Sequence, residues 1–265
     1  MPSLGLIVNT FNQPEYLARV LAALASQRSL PEEVFVAEDG TDEPTREVVK
    51  AWTALVSFTA EHVWQPHQGF RRSRILNEAI ARSRSDYLVF LDGDTLPHPE
   101  FVADHRHFAT QQTFVQGHRA LLKQRGAQFF GLGRFQRDRI RALLLGQIQG
   151  IKHAFRWPLP MVRKRKDLRG IRGCNLGIWR QDLVEVNGYN EAFVGWGRED
   201  SELAVRLMNL GRVRLDLRGR ALCYHLWHPP ASRERLTSND DLLAAAQANH
   251  SAYAAEGLSS HLAGV

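Results

Sequence analysis

Cysteine is scarce in this chain, and apolar runs long enough to cross a bilayer are missing. Cys174 and Cys223 are its two cysteines. Two thiols cannot build a disulfide framework, which excludes the small cross-linked secreted folds and suits a reducing compartment. No stretch approaches the roughly 18 apolar residues of a membrane-spanning helix. No basic segment precedes the first apolar stretch, Leu4 to Val8, so it reads as a first buried strand and not as a signal peptide. Low-complexity linkers and internal repeats are also lacking, which leaves one large α/β domain or two small ones in 265 residues. Acidic charge is in deficit: 34 Lys and Arg stand against 28 Asp and Glu, a formal net charge of +6. Arginine supplies most of the excess, and guanidinium groups favour bidentate contact with phosphate and carboxylate. Basicity alone does not choose among nucleic acid, a membrane surface and a nucleotide substrate.

What is present begins with an alternation of strand and helix patterns. Strands are expected at Leu4 to Val8, Glu33 to Ala37, Phe58 to Trp64 and Tyr87 to Leu91. Helices are expected at Pro14 to Gln27, Glu43 to Val56 and Arg71 to Arg82, the first with Leu17, Val20, Leu21 and Leu24 on one face. Such alternation predicts a mostly parallel sheet wrapped by helices, with ligands beyond the carboxyl ends of its strands. Polar features gather at those ends: Thr10-Phe11-Asn12, Glu38-Asp39-Gly40-Thr41, Gly69 to Arg74, and Asp92-Gly93-Asp94.

The last of these is the most informative. A short β-prone run, Tyr87 to Leu91, ends in two carboxylates one residue apart, and the prolines of Thr95-Leu96-Pro97-His98-Pro99 are expected to stop the strand. Two acids so close repel each other unless a cation sits beside them. Hard oxygen ligands suit a divalent ion such as Mg or Mn, with open positions for substrate phosphates. An acidic turn after a strand would look the same in isolation. Arg71, Arg72 and Arg74 just past Gly69 are not called for by turn chemistry, and Arg74 is well placed to meet phosphate.

The second half carries chemistry of its own. From Arg134 to Arg172 twelve basic residues face only Asp138 and Asp167, and Ile140, Leu143, Leu144, Ile148, Ile151 and Phe155 recur at helix-like spacing. A basic amphipathic helix can lie on an anionic membrane; a core-facing helix with a solvated basic side fits equally. The tetrad Arg163 to Lys166 adds to the membrane or acidic-substrate reading. Gly173 to Trp179 reads as a returning strand. Gly195-Trp196-Gly197 reads as a tight loop leading to Glu199 and Asp200, which open a helix over Ser201 to Leu210. Those two acids would also simply complement the helix dipole. A last strand, Arg220 to Tyr224, runs into His225 and His228, whose i, i+3 spacing can bind metal.

Taken together these residues resemble the inverting, nucleotide-sugar-dependent glycosyltransferases of the GT-A fold, family 2 type, over Leu4 to about Pro230. The C-terminal stretches Asn187 to Glu191 and Gly195 to Asp200 resemble the Gly-Trp-Gly-x-Glu-Asp region of β-galactosyltransferases and polypeptide N-acetylgalactosaminyltransferases. The resemblance implies one continuous domain, with residues 1–118 as the nucleotide-sugar half and 119–265 as the acceptor half. It implies that Thr10 and Asp39 hold the nucleotide base, and that Arg74 lies near the base or diphosphate. Asp92 would touch ribose or metal, with Gly93 beside the donor. Asp94 and His225 would bind Mn or Mg, with His228 as a competitor for the histidine role. Asp200 would be the general base, and Glu199 and Trp196 the wall for acceptor and donor sugar. Asn9 and Ile75 depart from the common pattern, which has proline and asparagine there.

The expected partners are a nucleotide-sugar donor, a UDP-sugar by resemblance, and a glycan or glycolipid acceptor in cell-surface polysaccharide or lipopolysaccharide synthesis. No nucleic acid is expected. The expected location is cytoplasmic, peripheral on the inner membrane face if the basic segment meets lipid. Two rivals fit less well. A haloacid-dehalogenase-like phosphohydrolase would need the glycine after both acids, on the first strand, and a non-catalytic nucleotide- or carbohydrate-binding module would not need Asp94, Asp200 and His225 together.

Overall fold

The structure is a computed structural model; it describes residues 1–40, 43–230 and 234–262. Thr41, named above with Asp39 and Gly40, lies outside the described residues. The N-terminal part alternates as β1 (Leu4–Thr10), α1 (Pro14–Ala25), β2 (Glu33–Glu38), α2 (Glu43–Thr53), β3 (Thr59–Trp64), α3 (Arg72–Arg82) and β4 (Tyr87–Asp92). Pro14 starts α1, where its missing N–H costs nothing, and Leu17, Val20, Leu21 and Leu24 form its buried face. Beyond β4 come β5 (Thr95–Pro97), α4 (Phe101–Phe108), β6 (Thr113–Gln116), β7 (Arg119–Leu122), α5 (Gln124–Ala127), α6 (Phe135–Leu144), β8 (Ile148–Gln149) and β9 (Met161–Arg165). The chain closes with β10 (Leu176–Trp179), α7 (Arg180–Glu185), α8 (Glu199–Asn209), β11 (Val213–Arg218), β12 (Cys223–His225), α9 (Leu236–Asn249) and α10 (Ser259–Leu262).

Eight strands make the central sheet in the order β3-β2-β1-β4-β10-β6-β11-β9. β3, β2, β1 and β4 run parallel, β10 returns antiparallel between β4 and β6, and β9 closes the edge antiparallel to β11. Apolar clusters cover both faces. One joins Leu6, Val8 and Val89 to the α1 face, and the other joins Ile7, Phe90 and Leu176 to α3 and α8. Strands buried on both sides need continuous apolar runs, and that is what Leu4 to Val8 and Tyr87 to Leu91 supply. The result is an α/β GT-A-type architecture, with helices flanking a large, mostly parallel sheet.

A second, four-stranded sheet has the order β5-β12-β7-β8. Here the expectation for Thr95 to Pro99 needs correcting. The prolines do not end strand structure; they hand the chain to another sheet. Pro97 is tolerated because β5 is an edge strand, where a missing donor faces no partner.

The expected long helix around Ile140 to Phe155 is also corrected. α6 ends at Leu144, Ile148 lies in β8, and Ile151 opens a short 3-10 turn. Gly146 and Gly150 have φ of +61° and +68°, left-handed conformations that stop the helix. The basic tetrad from Arg163 lies on the edge strand β9 and the residue after it, and Arg165 is tied there to Asp167 and Asp216.

Candidate active site

The carboxyl ends of β1 and β4 open into a cavity of about 790 Å³, and a second of about 380 Å³ adjoins it. Asp92, Arg119, Trp196, Glu199 and Asp200 belong to the walls of both. Asp94 lines the larger one, so Asp94 and Asp200 share a cavity although more than a hundred residues separate them.

The acidic turn is built by close approach. Gly93 donates its N–H to the Asn9 carbonyl at 2.7 Å, and a Cβ there would come within 2.9 Å of Thr10 Oγ1. Only glycine lets β4 turn against β1 at this point. Thr10 is buried, and its hydroxyl has no partner. Asp39 lies behind the wall. Its carboxylate accepts from Gln65 Nε2 at 2.8 Å and from the Arg71 N–H at 2.6 Å, which anchors the loop that leads into α3. Phe11 and His67, with ring centroids 4.7 Å apart, line the cavity in front of it.

The pairing of β5 with β12 sets Thr95 opposite His225, and Leu226 N–H donates to the Asp94 carbonyl at 2.8 Å. Asp94 Oδ1 is 3.6 Å from His225 Nε2, and Asp94 Oδ2 is 3.0 Å from His228 Nε2. Both histidines therefore join Asp94, and neither displaces the other. Their ligand atoms lie within 4.8 Å of one another. Burial pushes His225 down to about 4, which keeps its imidazole neutral and able to ligate. Burial would raise Asp94, but the hydrogen bond to His228, with both imidazoles beside it, outweighs burial and holds it low. The hydrogen bond to Asp94 raises His228, so an ion would displace its proton on binding. One carboxylate and two imidazoles fit a divalent ion such as Mn; the two nitrogens suit Mg, an all-oxygen ion, less well.

Another part of the wall is an ionic hub. Arg72 Nη1 lies 3.0 Å from Glu199 Oε1 and 3.0 Å from Asp200 Oδ1, and Nη2 lies 3.4 Å from Asp92 Oδ1. Burial would lower the Arg72 pKa, but Asp200, Asp92 and Glu199 together raise it well above its ordinary value. Arg74 is corrected here: it is exposed on α3, off the cavity wall, where its charge acts on Glu191. Asn77, on the same helix, donates to the Tyr189 carbonyl and accepts the Tyr189 N–H, both at 2.8 Å, and so ties α3 to the Asn187 to Glu191 loop.

Gly195, Gly197 and Arg198 all have positive φ, which turns Trp196 outward to the cavity and sets Glu199 at the start of α8. Asp200 is held twice, by Arg72 and by the Gly173 N–H at 2.7 Å. A Cβ on Gly173 would lie 2.5 Å from Arg72 Nη2 and overlap Asp200 Oδ1, so any side chain here would push both groups out of place. Glu199 is the more buried acid, with 7 % of its side chain accessible against 19 % for Asp200. Burial, with the Asp200 charge beside it, pushes Glu199 up to about 7, and its Oε2 has no hydrogen-bond partner. Burial likewise pushes Asp92 up to about 6, against the pull of Arg72.

Arg72 was noted in the sequence only as one of the basic residues past Gly69, and Gly173 and Arg119 were given no role. Arg119 Nη1 lies 3.2 Å from Cys174 Sγ, and its buried Nε has no partner. The available signal was the run Arg71-Arg72, whose inward member only the helix phase reveals. Cys174 and Cys223 are both buried and unbonded to each other.

Convergent carboxylates and a carboxylate–imidazole cluster thus stand at the strand ends of this α/β sheet. Solved structures share the fold: a mannosyltransferase from Pyrobaculum calidifontis in complex with GDP-Man and Mn2+ superimposes with a TM-score of 0.59 at 15% identity, covering 99% of this chain and 73% of that one. TarS of S. aureus gives 0.65 at 15% identity, covering 94% of this chain and 41% of the other. A sequence model of glycosyl transferase family 2 matches residues 6–172, well over half of the chain, and one described as N-terminal domain of galactosyltransferase matches residues 155–223. The chain belongs to glycosyl transferase family 2. Its curated relatives include a chondroitin synthase of Escherichia coli, 24% identical over 87% of this chain and 36% of the relative. A hyaluronan synthase of Pasteurella multocida is 24% identical over 89% and 26%. A validoxylamine A glucosyltransferase of Streptomyces hygroscopicus subsp. limoneus is 25% identical over 78% and 48%. The chain thus spans a quarter to a half of the length of these relatives.

Proposed function

We propose that this protein transfers a sugar, with inversion, from a nucleotide diphosphate sugar, of the UDP class, to a hydroxyl of a glycan or glycolipid acceptor. The observation that carries the reading is that Asp94, His225, His228 and Asp200 line one cavity. Phe11 and His67 offer a ring-lined slot for the base, and the unpartnered Thr10 hydroxyl lies near it. Asp94, His225 and His228 would hold a divalent ion, which supplies positive charge to the diphosphate as it leaves.

Asp200 accepts the acceptor proton. Its orientation comes from Arg72 and the Gly173 amide, each of which uses one lone pair and leaves others open to the cavity. Glu199, whose Oε2 has no hydrogen-bond partner, is a hydrogen-bonding wall for sugar hydroxyls. Trp196 gives that wall an apolar face. Arg119, at the junction of the two cavities, adds positive charge where the leaving group departs.

The experiment compares Asp200→Asn with Asp94→Ala, reading transfer to oligosaccharide acceptors and calorimetric binding of UDP with and without Mn. Asp200→Asn should keep Mn-dependent UDP binding and lose most turnover. Asp94→Ala should lose the Mn dependence itself. Near-normal turnover in the first variant would remove Asp200 from the base role; an unchanged Mn effect in the second would move the metal elsewhere.

A further inference from the structure

Eight of the nineteen exposed large apolar side chains among the described residues fall within residues 132–162. Apolar side chains scattered singly are normal on a surface, but this concentration is not scatter. Residues 132–166 also hold ten Arg and Lys and one acid, Asp138. α6 shows how the two features combine. Its inward side buries Asp138 and Ala142, and the Asp138 carboxylate accepts the Gly131 and Gly133 amides at 3.0 and 3.1 Å. The one acid is therefore turned away from solvent. The outward stripe at i, i+3, i+4, i+7 is Arg137, Ile140, Arg141 and Leu144, with Ile140 52% and Leu144 83% exposed.

The following turn also carries exposed apolar side chains. Ile151 and Phe155 are exposed there, and the Arg139 guanidinium lies 5.8 Å from the Phe155 ring centre, which joins the turn to α6. The Arg141 guanidinium lies 4.2 Å from the Phe129 ring centre, a charge resting on an aromatic face.

We propose that the outward face of α6 and the Ile151–Phe155 turn dock onto a bilayer carrying anionic phospholipid. Aliphatic tips between guanidinium groups match acyl chains beneath a negative headgroup layer, each supplying what the other lacks. A nucleic acid would be met by the same charge, but the stripe offers it leucine and isoleucine in place of stacking rings. Among the described residues no helix is long and apolar enough to cross a membrane, so attachment through this surface is peripheral. β8 follows α6 directly, and its Gln149 pairs with Leu121; both line the larger cavity. The docking face therefore adjoins the cleft. That a lipid-borne acceptor would enter from the bilayer side rests on the transfer reading; the binding itself does not.

The test uses the full chain in a flotation assay with vesicles of phosphatidylcholine alone or with one third phosphatidylglycerol. The wild type should bind the anionic vesicles and lose most binding when salt rises from about 0.1 M to about 0.5 M. Ile140→Glu/Leu144→Glu should weaken partitioning by about tenfold or more. Leu55→Glu, at an exposed site far outside the segment, should leave it unchanged. No wild-type binding overturns the proposal. So does full binding by the double variant with loss in Arg137→Glu/Arg141→Glu, the pattern of a surface for soluble acidic polymers. A concentration-dependent dimer in ultracentrifugation that the double variant abolishes, without vesicle binding, would assign the face to a second copy of the chain and overturn it too. Mn-dependent UDP binding, measured on the same proteins, separates the two readings: its loss with vesicle binding intact strikes the transfer reading alone.

Discussion

Arg72 is the sharpest place to perturb this molecule. Three carboxylates share its guanidinium, two of them at 3.0 Å, and the Arg72 side chain is only 8 % accessible. Arg72→Met keeps the apolar stem and deletes the charge. Removing one partner of a buried ionic group leaves the others uncompensated, at a cost of about 3–5 kcal/mol. The cost depends on pH, and its direction can be worked out. Glu199 already stands at about 7 with Arg72 present, above its ordinary 4.5. A carboxylate raised in the folded state binds more protons folded than unfolded, so stability falls as pH rises from the unfolded value through the folded one. Without Arg72 the folded value climbs further, and the carboxyl stays protonated at acid pH at little cost. The deficit of Arg72→Met should therefore be small near pH 5 and widen toward pH 8. For a chain of this size each kcal/mol shifts Tm by roughly 2–4 °C, so a drop of about 6–20 °C is expected at pH 8. Paired thermal melts of wild type and variant at both pH values measure it. A deficit below about 1 kcal/mol, or one equal at both pH values, would refute the idea that this guanidinium neutralises the hub.

Two further outcomes follow from the same geometry. Gly173→Ala brings a methyl group to 2.5 Å from Arg72 Nη2. Turnover should fall about 100-fold from misplacement of Asp200, while UDP affinity, read by calorimetry, stays within about threefold. Glu191 accepts from Asn77 at 2.9 Å and is paired with His261 at 2.7 Å. Burial would raise its pKa, but these contacts outweigh burial and hold it below its ordinary value. Its contribution is thus present above the unfolded value and lost as pH falls through the folded one. Glu191→Gln should cost about 1 kcal/mol near neutrality and progressively less as pH falls through the folded value, and urea titrations at neutral and acid pH would show whether the difference closes.

Much of the donor side was legible in one dimension. β1 to β4 were marked by apolar runs between turn residues, and a strand buried on both faces leaves little freedom in where such runs go. Asp92-Gly93-Asp94 stood at a strand end because a parallel sheet puts every such end on one side. Arg72 and Arg74 were harder to tell apart. They sit two positions apart on a helix, about 200° around its axis, so only the phase of α3 against the sheet turns one inward and leaves the other near Glu191. α6 was read too long because Ile148 and Ile151 keep a helical period across glycines whose left-handed φ the period cannot show. β11 and the edge strand β9 were not anticipated, since their polar alternation depends on a partner far along the chain.

By itself, then, the sequence determined the alternating architecture, the acidic turn and the glycines that surround Trp196, because local propensity and burial act over a few residues. The tertiary structure decided which charged groups meet. β12 returns beside β5 and carries His225 and His228 to Asp94, and α8 comes against α3 so that Arg72 reaches Glu199 and Asp200. Those contacts join residues more than a hundred positions apart. No local preference encodes them; they follow from how the sheets close and how the helices pack over them.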